Sequence, residues 1–205
     1  LTLTSAGRCL IYADGSRGNG VDAAMDLAGK LKSSLGVTVM ISNPGNDIMP
    51  TADSGLVTRG TIRTARGHFT AFDLVIDGFG SALPSSRSTL DFEDTQDGIE
   101  TSCDLIIDLT GAPPLFTGWE KRDGYLRVSA DDSVRLAAVA AEAGEMIGAF
   151  EKPIYVDYDS ELCAHSRNSL NGCSRCLDVC PAGAIASIGD TCLLYTSPSP
   201  RDVCS

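Results

Sequence analysis

The chain has 205 residues, of which 43% are hydrophobic, and a formal net charge of −11 at pH 7. This length suits one medium domain together with a small one, and no apolar run is long enough to span a membrane. A strongly acidic surface repels phosphate backbones, so the composition argues against nucleic-acid binding.

Residues 1–150 have the pattern of an α/β domain. Residues 9–13 form an apolar run that ends at Asp14, which is typical of a strand followed by a turn. Apolar side chains recur at helical spacing over residues 21–35, and residues 37–41 are rich in β-branched side chains. The order strand, helix, strand predicts a βαβ unit with a parallel pair of strands.

The second half of this domain predicts further strands, which make the sheet mixed. Residues 61–64 and 69–72 flank residues 65–68, which indicates a hairpin with its turn at residues 65–68. Residues 104–109 predict a buried strand, and the Ala-rich residues 134–150 predict a helix. The residues placed to cap the start of that helix are Asp131, Asp132 and Ser133.

Three glycines follow the first predicted strand and precede the first predicted helix: Gly15, Gly18 and Gly20. Phosphate-binding loops occupy this position because the N–H groups at a helix start attract anions. The spacing G-x-x-G-x-G matches neither the dinucleotide fingerprint nor the P-loop. We therefore interpret the segment as an ordinary turn between strand and helix.

Four aspartates flank the apolar strands: Asp73, Asp77, Asp104 and Asp108. Carboxylates at strand ends are more often solvated than catalytic, so we predict that these four lie in solvent. The chain has two histidines and no Ser-His-Asp or Cys-His arrangement. We therefore predict no catalytic residue.

The most specific motif lies near the C-terminus and consists of Cys163, Cys173, Cys176 and Cys180. The spacing is C-x9-C-x2-C-x3-C, and Pro181 follows the last cysteine. Closely spaced thiolates suit a [4Fe–4S] cluster because each iron takes one terminal sulfur. Four thiolates can also bind zinc tetrahedrally, so a structural zinc site is an alternative.

Residues 177–185 (LDVCPAGAI) carry a resemblance to bacterial-type ferredoxins, whose half-motif is C-x2-C-x2-C-x3-C-P. The departure is the first gap, which has nine residues in place of two. The resemblance implies a truncated ferredoxin-like α+β domain over residues 151–191, with the four cysteines as cluster ligands. In two-cluster ferredoxins the fourth cysteine binds the other cluster. The resemblance therefore implies that Cys180 belongs to a second cluster and that the chain is a fragment of a larger two-cluster protein.

The resemblance extends beyond the cysteines. Residues 119–127, 150–156 and 162–185 together resemble a bacterial family of larger [4Fe–4S]-binding proteins. In that family an N-terminal α/β region precedes a pair of ferredoxin-type motifs. Its members are associated with formate dehydrogenase systems, which implies a redox partner protein of the dehydrogenase kind.

The last residues predict a segment of foreign origin. Residues 192–202 read CLLYTSPSPRD, which resembles the translation of a transposase adapter used to prepare DNA libraries. Such segments are excluded from fold reasoning, so we expect residues 192–205 to be a non-native tail. This tail implies that the natural chain is interrupted near Thr191, and because Leu1 is not a Met, we expect an interruption at the N-terminal end as well.

Without this tail, six of the eight cysteines remain. Four form the cluster motif, and Cys9 and Cys103 stand alone beside apolar runs, where they are predicted to be buried thiols. A reduced, cytoplasmic setting follows from this usage.

The sequence thus predicts a cytoplasmic protein that transfers electrons through [4Fe–4S] clusters, one or two in the intact protein. One alternative is an oxidoreductase subunit whose α/β domain binds a nucleotide or a partner enzyme, and another is a structural zinc-binding module. The acidic surface is common in carriers that meet a basic patch on a partner, and it also serves solubility.

Overall fold

The computed structural model describes residues 2–45, 48–49, 56–84, 89–117, 122–151, 161–164, 173–179, 185–188 and 191–194. The chain divides into two compact units. The larger unit is Thr4–Ala149, and the smaller unit combines Leu1–Leu3 with Phe150–Ser205. The boundary predicted after residue 150 lies beside this division.

Within the described ranges the chain forms a mixed α/β fold. In chain order the elements are β1 (Thr2–Ser5), β2 (Arg8–Asp14), α1 (Gly20–Leu31), β3 (Gly36–Ser42), β4 (Val57–His68), β5 (Ala71–Ser81), β6 (Ile99–Cys103), β7 (Leu105–Asp108), β8 (Tyr125–Arg127), α2 (Ser133–Gly144), β9 (Gly148–Glu151), α3 (Arg175–Val179), β10 (Ile185–Ile188) and β11 (Thr191–Leu194). The short strands β1 and β9 pair with each other.

Seven strands form the central sheet, in the order β6-β5-β4-β3-β2-β7-β8. Strand β2 is parallel to β3 and to β7, β3 is parallel to β4, and β7 is parallel to β8. The pairs β4-β5 and β5-β6 are antiparallel. The predicted α/β fold with a mixed sheet is therefore confirmed, and so is the parallel βαβ unit.

The parallel strands are apolar because both of their faces are covered. Ile11, Val39 and Ile107 belong to one buried cluster together with the inner faces of α1 and α2. Leu10 and Met40 point to the opposite face and belong to a second cluster, to which β4, β5 and β6 contribute. Both helices thus cover one face, and the antiparallel strands contribute the cover of the other.

The first helix is shorter than predicted. The apolar pattern extends to Leu35, but α1 ends at Leu31. The N–H groups of Ser34 and Leu35 both donate to the Leu31 carbonyl, at 2.9 Å each, and this turn brings the chain into β3. Because Leu35 is still buried, it extends the helical pattern without belonging to the helix.

The hairpin exists, but its turn is formed by residues 69–70, directly after the predicted turn at residues 65–68. Strand β4 continues through His68, and residues 69–70 connect it to β5. Gly67 has a φ of +97°, and a Cβ placed on it would lie 1.9 Å from the Ala71 carbonyl oxygen. This glycine therefore belongs to the close approach of two paired strands rather than to the turn.

The second helix begins where predicted and ends early. The Asp132 carboxylate accepts a hydrogen bond from the Arg135 N–H at 2.9 Å, as an N-terminal cap does. The helix α2 ends at Gly144, and residues 148–151 form β9 instead of continuing the helix.

In the smaller unit, β10 and β11 pair antiparallel, with Ile185 opposite Leu194. The strand β11 includes the first three residues of the expected non-native tail. Pairing does not report the origin of a sequence, so that expectation stays a prediction. The strand predicted at residues 154–156 lies outside the described residues. None of the helices in the described ranges combines the length and the apolar character needed to cross a membrane.

Candidate functional site

Three of the four predicted cluster ligands fall within the described residues. Cys173 lies two residues before α3 and Cys176 is the second residue of this helix. Both are exposed and neither forms a disulfide. Cys163 is half-buried, and Cys180 lies outside the described residues.

The C-x2-C segment occupies a hydrogen-bonded turn. The Ser174 hydroxyl donates to the Asp178 carboxylate at 2.8 Å, and the Asp178 N–H donates to the Ser174 carbonyl at 2.9 Å. The residues between and after the two thiols are therefore tied to each other, while Cys173 and Cys176 themselves remain accessible.

The described part of the chain does not gather a complete metal-binding group. In these ranges no three His, Cys, Asp or Glu side chains are close enough together to hold a metal ion. Cys163 is thus not brought together with Cys173 and Cys176 as a three-thiolate group. The donor chemistry fits an iron–sulfur cluster, whereas the convergence of ligands is not seen in the described residues.

A second candidate region lies in the larger unit, at the carboxyl ends of the parallel strands. The chain passes from β2 to β3 and β4 on one side, and later to β7 and β8 on the other. In open α/β sheets ligands bind where the strand order reverses in this way. The reversal lies between β2 and β7, whose last residues are Asp14 and Asp108.

Asp14 organises the loop after β2. One of its carboxylate oxygens accepts from the N–H and the hydroxyl of Ser16, at 3.0 and 2.7 Å, and from the side-chain amide of Asn43 at 3.4 Å. Burial raises the pKa of Asp14, but these hydrogen bonds and the charge of Arg17 outweigh burial, so the pKa is lowered. The carboxylate is thus kept ionised by the loop that it holds.

Gly15 has a steric reason for its place in this loop. A Cβ at this position would lie 2.6 Å from the Asn43 carbonyl oxygen and 3.0 Å from the Cα of Pro44. The Gly15 N–H also donates to the Ser42 carbonyl at 2.8 Å. The loops after β2 and β3 therefore approach each other closely, which accounts for this glycine without a bound phosphate.

Asp108 is buried, with 2% of its surface exposed. One oxygen accepts from the N–H and the hydroxyl of Thr110, at 2.9 and 2.6 Å. The other accepts from the Tyr125 hydroxyl at 2.6 Å and lies 3.3 Å from Nε of Arg127. The pKa of Tyr125 is raised, chiefly by burial and next by this hydrogen bond to a carboxylate. The prediction that Asp108 lies in solvent is wrong, because β8 covers the end of β7.

Arg17 joins the two loops at the reversal. Its Nη1 donates to the Gly111 carbonyl at 3.1 Å, and its Nε lies 3.5 Å from the Asp14 carboxylate. The polar groups at this edge thus bind one another.

A hollow of about 710 Å³ lies beside the loop after β2. It is lined in part by Asp22 and Asp26, whose carboxylates disfavour phosphate groups.

Asp104 lies at the opposite end of β7 and is also buried. Its carboxylate accepts from the Arg8 N–H at 3.0 Å and from the Arg8 guanidinium at 2.8 and 3.3 Å. The prediction that Asp104 is solvated is therefore wrong. Burial raises its pKa, but the hydrogen bonds and charge of Arg8 outweigh burial and lower it.

This lowered pKa predicts a pH dependence of stability. The Asp104 carboxylate stabilises the folded state above the unfolded-state pKa of about 3.9, and this contribution is lost as the pH falls through the lower folded-state pKa. We expect the wild-type protein to be more stable than Asp104→Asn at neutral pH and the difference to shrink below about pH 4. Urea unfolding of both proteins across this range measures the difference. A difference that stays constant into acid would contradict the assignment.

Tyr125 and Arg127 were not predicted from the sequence as partners of Asp108. Tyr125 and Arg127 are two positions apart on β8, so their side chains lie on the same face of the sheet. This spacing was the available signal, but a strand of three residues is too short to show a periodic pattern.

No protein-family model, curated protein or solved structure matches this chain.

Proposed function

We propose that the chain is an iron–sulfur protein that binds a [4Fe–4S] cluster and transfers single electrons. The observation that carries this proposal is the motif C-x9-C-x2-C-x3-C-P, with Cys163, Cys173, Cys176 and Cys180 as ligands. The exposure of Cys173 and Cys176 supports it, since thiols that form neither a core nor a disulfide are available to a metal. The bound cluster would supply one-electron redox chemistry, and residues 151–191 would form its ferredoxin-like domain.

The larger unit would then serve as an attached module of the carrier. With a net charge of −11, the chain would steer toward a basic patch on a redox partner protein, for which we propose a dehydrogenase. Cys9 and Cys103 are buried thiols and form no disulfide. That state is expected in a reducing compartment, which supports the cytoplasm as the proposed location.

A second candidate is an oxidoreductase subunit whose larger unit binds a nucleotide or a partner enzyme. The reversal of strand order between β2 and β7 favours it. The carboxylates of Asp22 and Asp26 and the polar groups that bind one another count against phosphate binding. A flavin or nicotinamide released when the purified protein is denatured would favour this candidate over a simple carrier.

The test is anaerobic reconstitution of the full chain with iron and sulfide. We expect a brown protein that absorbs near about 400 nm and contains iron and sulfide in equal amounts. If Cys180 serves a second cluster, the first lacks one ligand and should lose iron to a three-iron form in air. A stable [4Fe–4S] cluster would show that all four cysteines serve one cube. A colourless protein that binds zinc would overturn the proposal in favour of the structural zinc module.

Substitution distinguishes the proposed ligands from other thiols. We expect Cys173→Ser and Cys176→Ser to abolish the absorbance, since each removes a terminal sulfur. Cys103→Ala is the matched control, because it removes a buried cysteine of the larger unit and should leave the absorbance unchanged. Equal spectra for all three variants would show that the iron is bound elsewhere.

A further inference from the structure

We propose that the larger unit binds an extended, basic segment of a partner protein, which adds a strand to the free edge of the central sheet at β6. In the described part of the chain, β6 has a neighbour on one side only, namely β5. An edge strand offers unpaired N–H and C=O groups to a further strand, and several peptide-binding domains recognise their partners in this way. The proposal concerns the larger unit alone and stands whether or not the chain carries a cluster.

The free side of β6 is open to solvent. Thr101 lies opposite Leu74 on the inner face of the sheet, whereas Glu100 and Ser102 lie on the outer face, yet all three β6 residues are exposed. Among the described residues, only those of β5 form backbone hydrogen bonds with residues 99–103. A hollow of about 420 Å³ adjoins β6, so there is room beside the strand.

The other edge of the sheet does not offer the same surface. Strand β8 forms that edge and has only three residues. Tyr125 and Leu126 are buried, which leaves Arg127 as the exposed residue of this strand. An added strand needs several consecutive accessible residues, so β6 is the edge that suits one.

The edge at β6 carries a concentration of negative charge. Residues 91–96 continue along the same side of β5, where the backbones of Phe79 and Gln96 exchange two hydrogen bonds of 2.8 and 2.9 Å. Four exposed carboxylates follow this line: Glu93, Asp94, Asp97 and Glu100. None of the four forms an ion pair with a described residue.

The cations beside this line are already engaged. The Arg8 guanidinium binds the Asp104 carboxylate at 2.8 Å, and the Arg63 guanidinium lies 3.2 Å from the Asp77 carboxylate. Arg59 is stacked over an aromatic ring. The edge therefore presents a negative field, which is complementary to Lys and Arg side chains.

This charge also determines which strand can be added. Antiparallel pairing of two β6 strands would bring the carboxylates of both chains to one junction, and like charges on facing strands are destabilising. A segment with Lys or Arg at every second position would instead place its cations on the outer face beside Glu100. Backbone hydrogen bonds would supply the affinity, and the charges would supply the selectivity.

The test is a fluorescence anisotropy titration of the full chain with a dye-labelled peptide that alternates Lys with Val. We expect saturable binding of one peptide per chain. The same peptide with Glu in place of Lys, and a Lys peptide with N-methylated backbone amides, should each bind at least about tenfold more weakly. Absence of saturable binding of the Lys peptide would overturn the proposal. Equal affinity of the N-methylated peptide would overturn the added strand, and equal affinity of the Glu peptide would overturn the basic partner.

Amide hydrogen exchange locates the bound peptide. We expect amides within residues 99–103 to exchange at least about tenfold more slowly at saturation, because the added strand covers their edge. The opposite edge, residues 125–127, is the internal control and should not change. Protection at residues 125–127 without protection at residues 99–103 would overturn the placement at β6.

Variants test the role of charge at the edge. We expect Glu100→Gln to weaken binding of the Lys peptide at least about threefold. Glu145→Gln, at an exposed carboxylate at the end of α2, is the matched control and should bind as the wild type does. Equal affinity for the two folded variants, with folding checked by circular dichroism, would overturn the assignment of charge. A chain that forms dimers in analytical ultracentrifugation and does not bind the peptide would assign the edge to a second copy instead.

Discussion

We expect Asp108→Ala to lower the free energy of unfolding of the larger unit by about 3 kcal/mol or more. The substitution removes the acceptor of two buried bonds from Thr110, one from Tyr125 and an ion pair with Arg127. A buried donor left without its acceptor loses far more than the net value of one hydrogen bond. Urea unfolding followed by circular dichroism measures the change.

Three variants separate this network from a general effect of losing charge. Asp73→Ala removes an exposed carboxylate from β5 and should change stability by less than about 0.5 kcal/mol. Tyr125→Phe removes two hydrogen bonds, the one donated to Asp108 and the one accepted from the Leu115 N–H, and should cost about 2 kcal/mol. Asp108→Asn keeps the size but presents N–H groups to donors, so its cost should lie between those of Tyr125→Phe and Asp108→Ala. If Asp108→Ala cost no more than Asp73→Ala, the network would not stabilise the fold.

The position of the network explains why this effect is expected to be large. Thr110 and Gly111 form the loop after β7, and Arg17 donates to the Gly111 carbonyl from the loop after β2. Asp108 therefore holds one of the two loops that meet where the strand order reverses. Its loss should loosen that edge of the sheet as well as the end of β7.

The parallel core could be predicted because its signal is local. Residues 9–13 are a continuous apolar run and residues 37–41 are apolar except for Thr38, and strands covered on both faces require such runs. The helix between them shows its period over several turns, so only its end was misplaced. The turn of the hairpin was misplaced because Gly67 resembles a turn residue, although here it permits a close contact between two strands.

The aspartates could not be predicted because their partners are distant in sequence. Asp104 pairs with Arg8, which is 96 residues away, and Asp108 pairs with Tyr125 on a strand of only three residues. A carboxylate beside an apolar run has the same local sequence whether another strand covers it or water does. Only the topology decides between the two, and the topology follows from long-range pairing.

The cysteine motif, unlike the aspartates, can be recognised from neighbouring residues in the sequence. The spacing of Cys173, Cys176 and Cys180 is a local property that favours a cluster without any knowledge of the fold. How Cys163 reaches the other three depends on the nine residues between Cys163 and Cys173, and spacing does not determine the path of that segment. The proposed ligands therefore follow from local spacing, whereas their convergence would depend on the fold.

A measurement of thiol reactivity separates the two classes of cysteine. In the metal-free, reduced protein at about pH 8, we expect Cys173 and Cys176 to be alkylated at least about a thousandfold faster than Cys9 and Cys103. Burial raises the pKa of Cys9 and Cys103 from 9.0 to about 12, and only the thiolate reacts. Iodoacetamide labelling with peptide mass spectrometry gives the rate at each cysteine. In urea the difference should disappear, because it depends on the fold.

The same labelling after reconstitution with iron and sulfide connects reactivity to function. A thiolate bound to iron is no longer a free nucleophile, so Cys173 and Cys176 should become protected, while the slow rates at Cys9 and Cys103 should not change. Protection that extends to Cys163 and Cys180 would show that all four bind the metal together. Rapid labelling of Cys9 or Cys103 in the native protein would contradict their burial. Continued rapid labelling of Cys173 and Cys176 in protein that holds iron would exclude them as ligands, because burial cannot hide these exposed thiols and only coordination can.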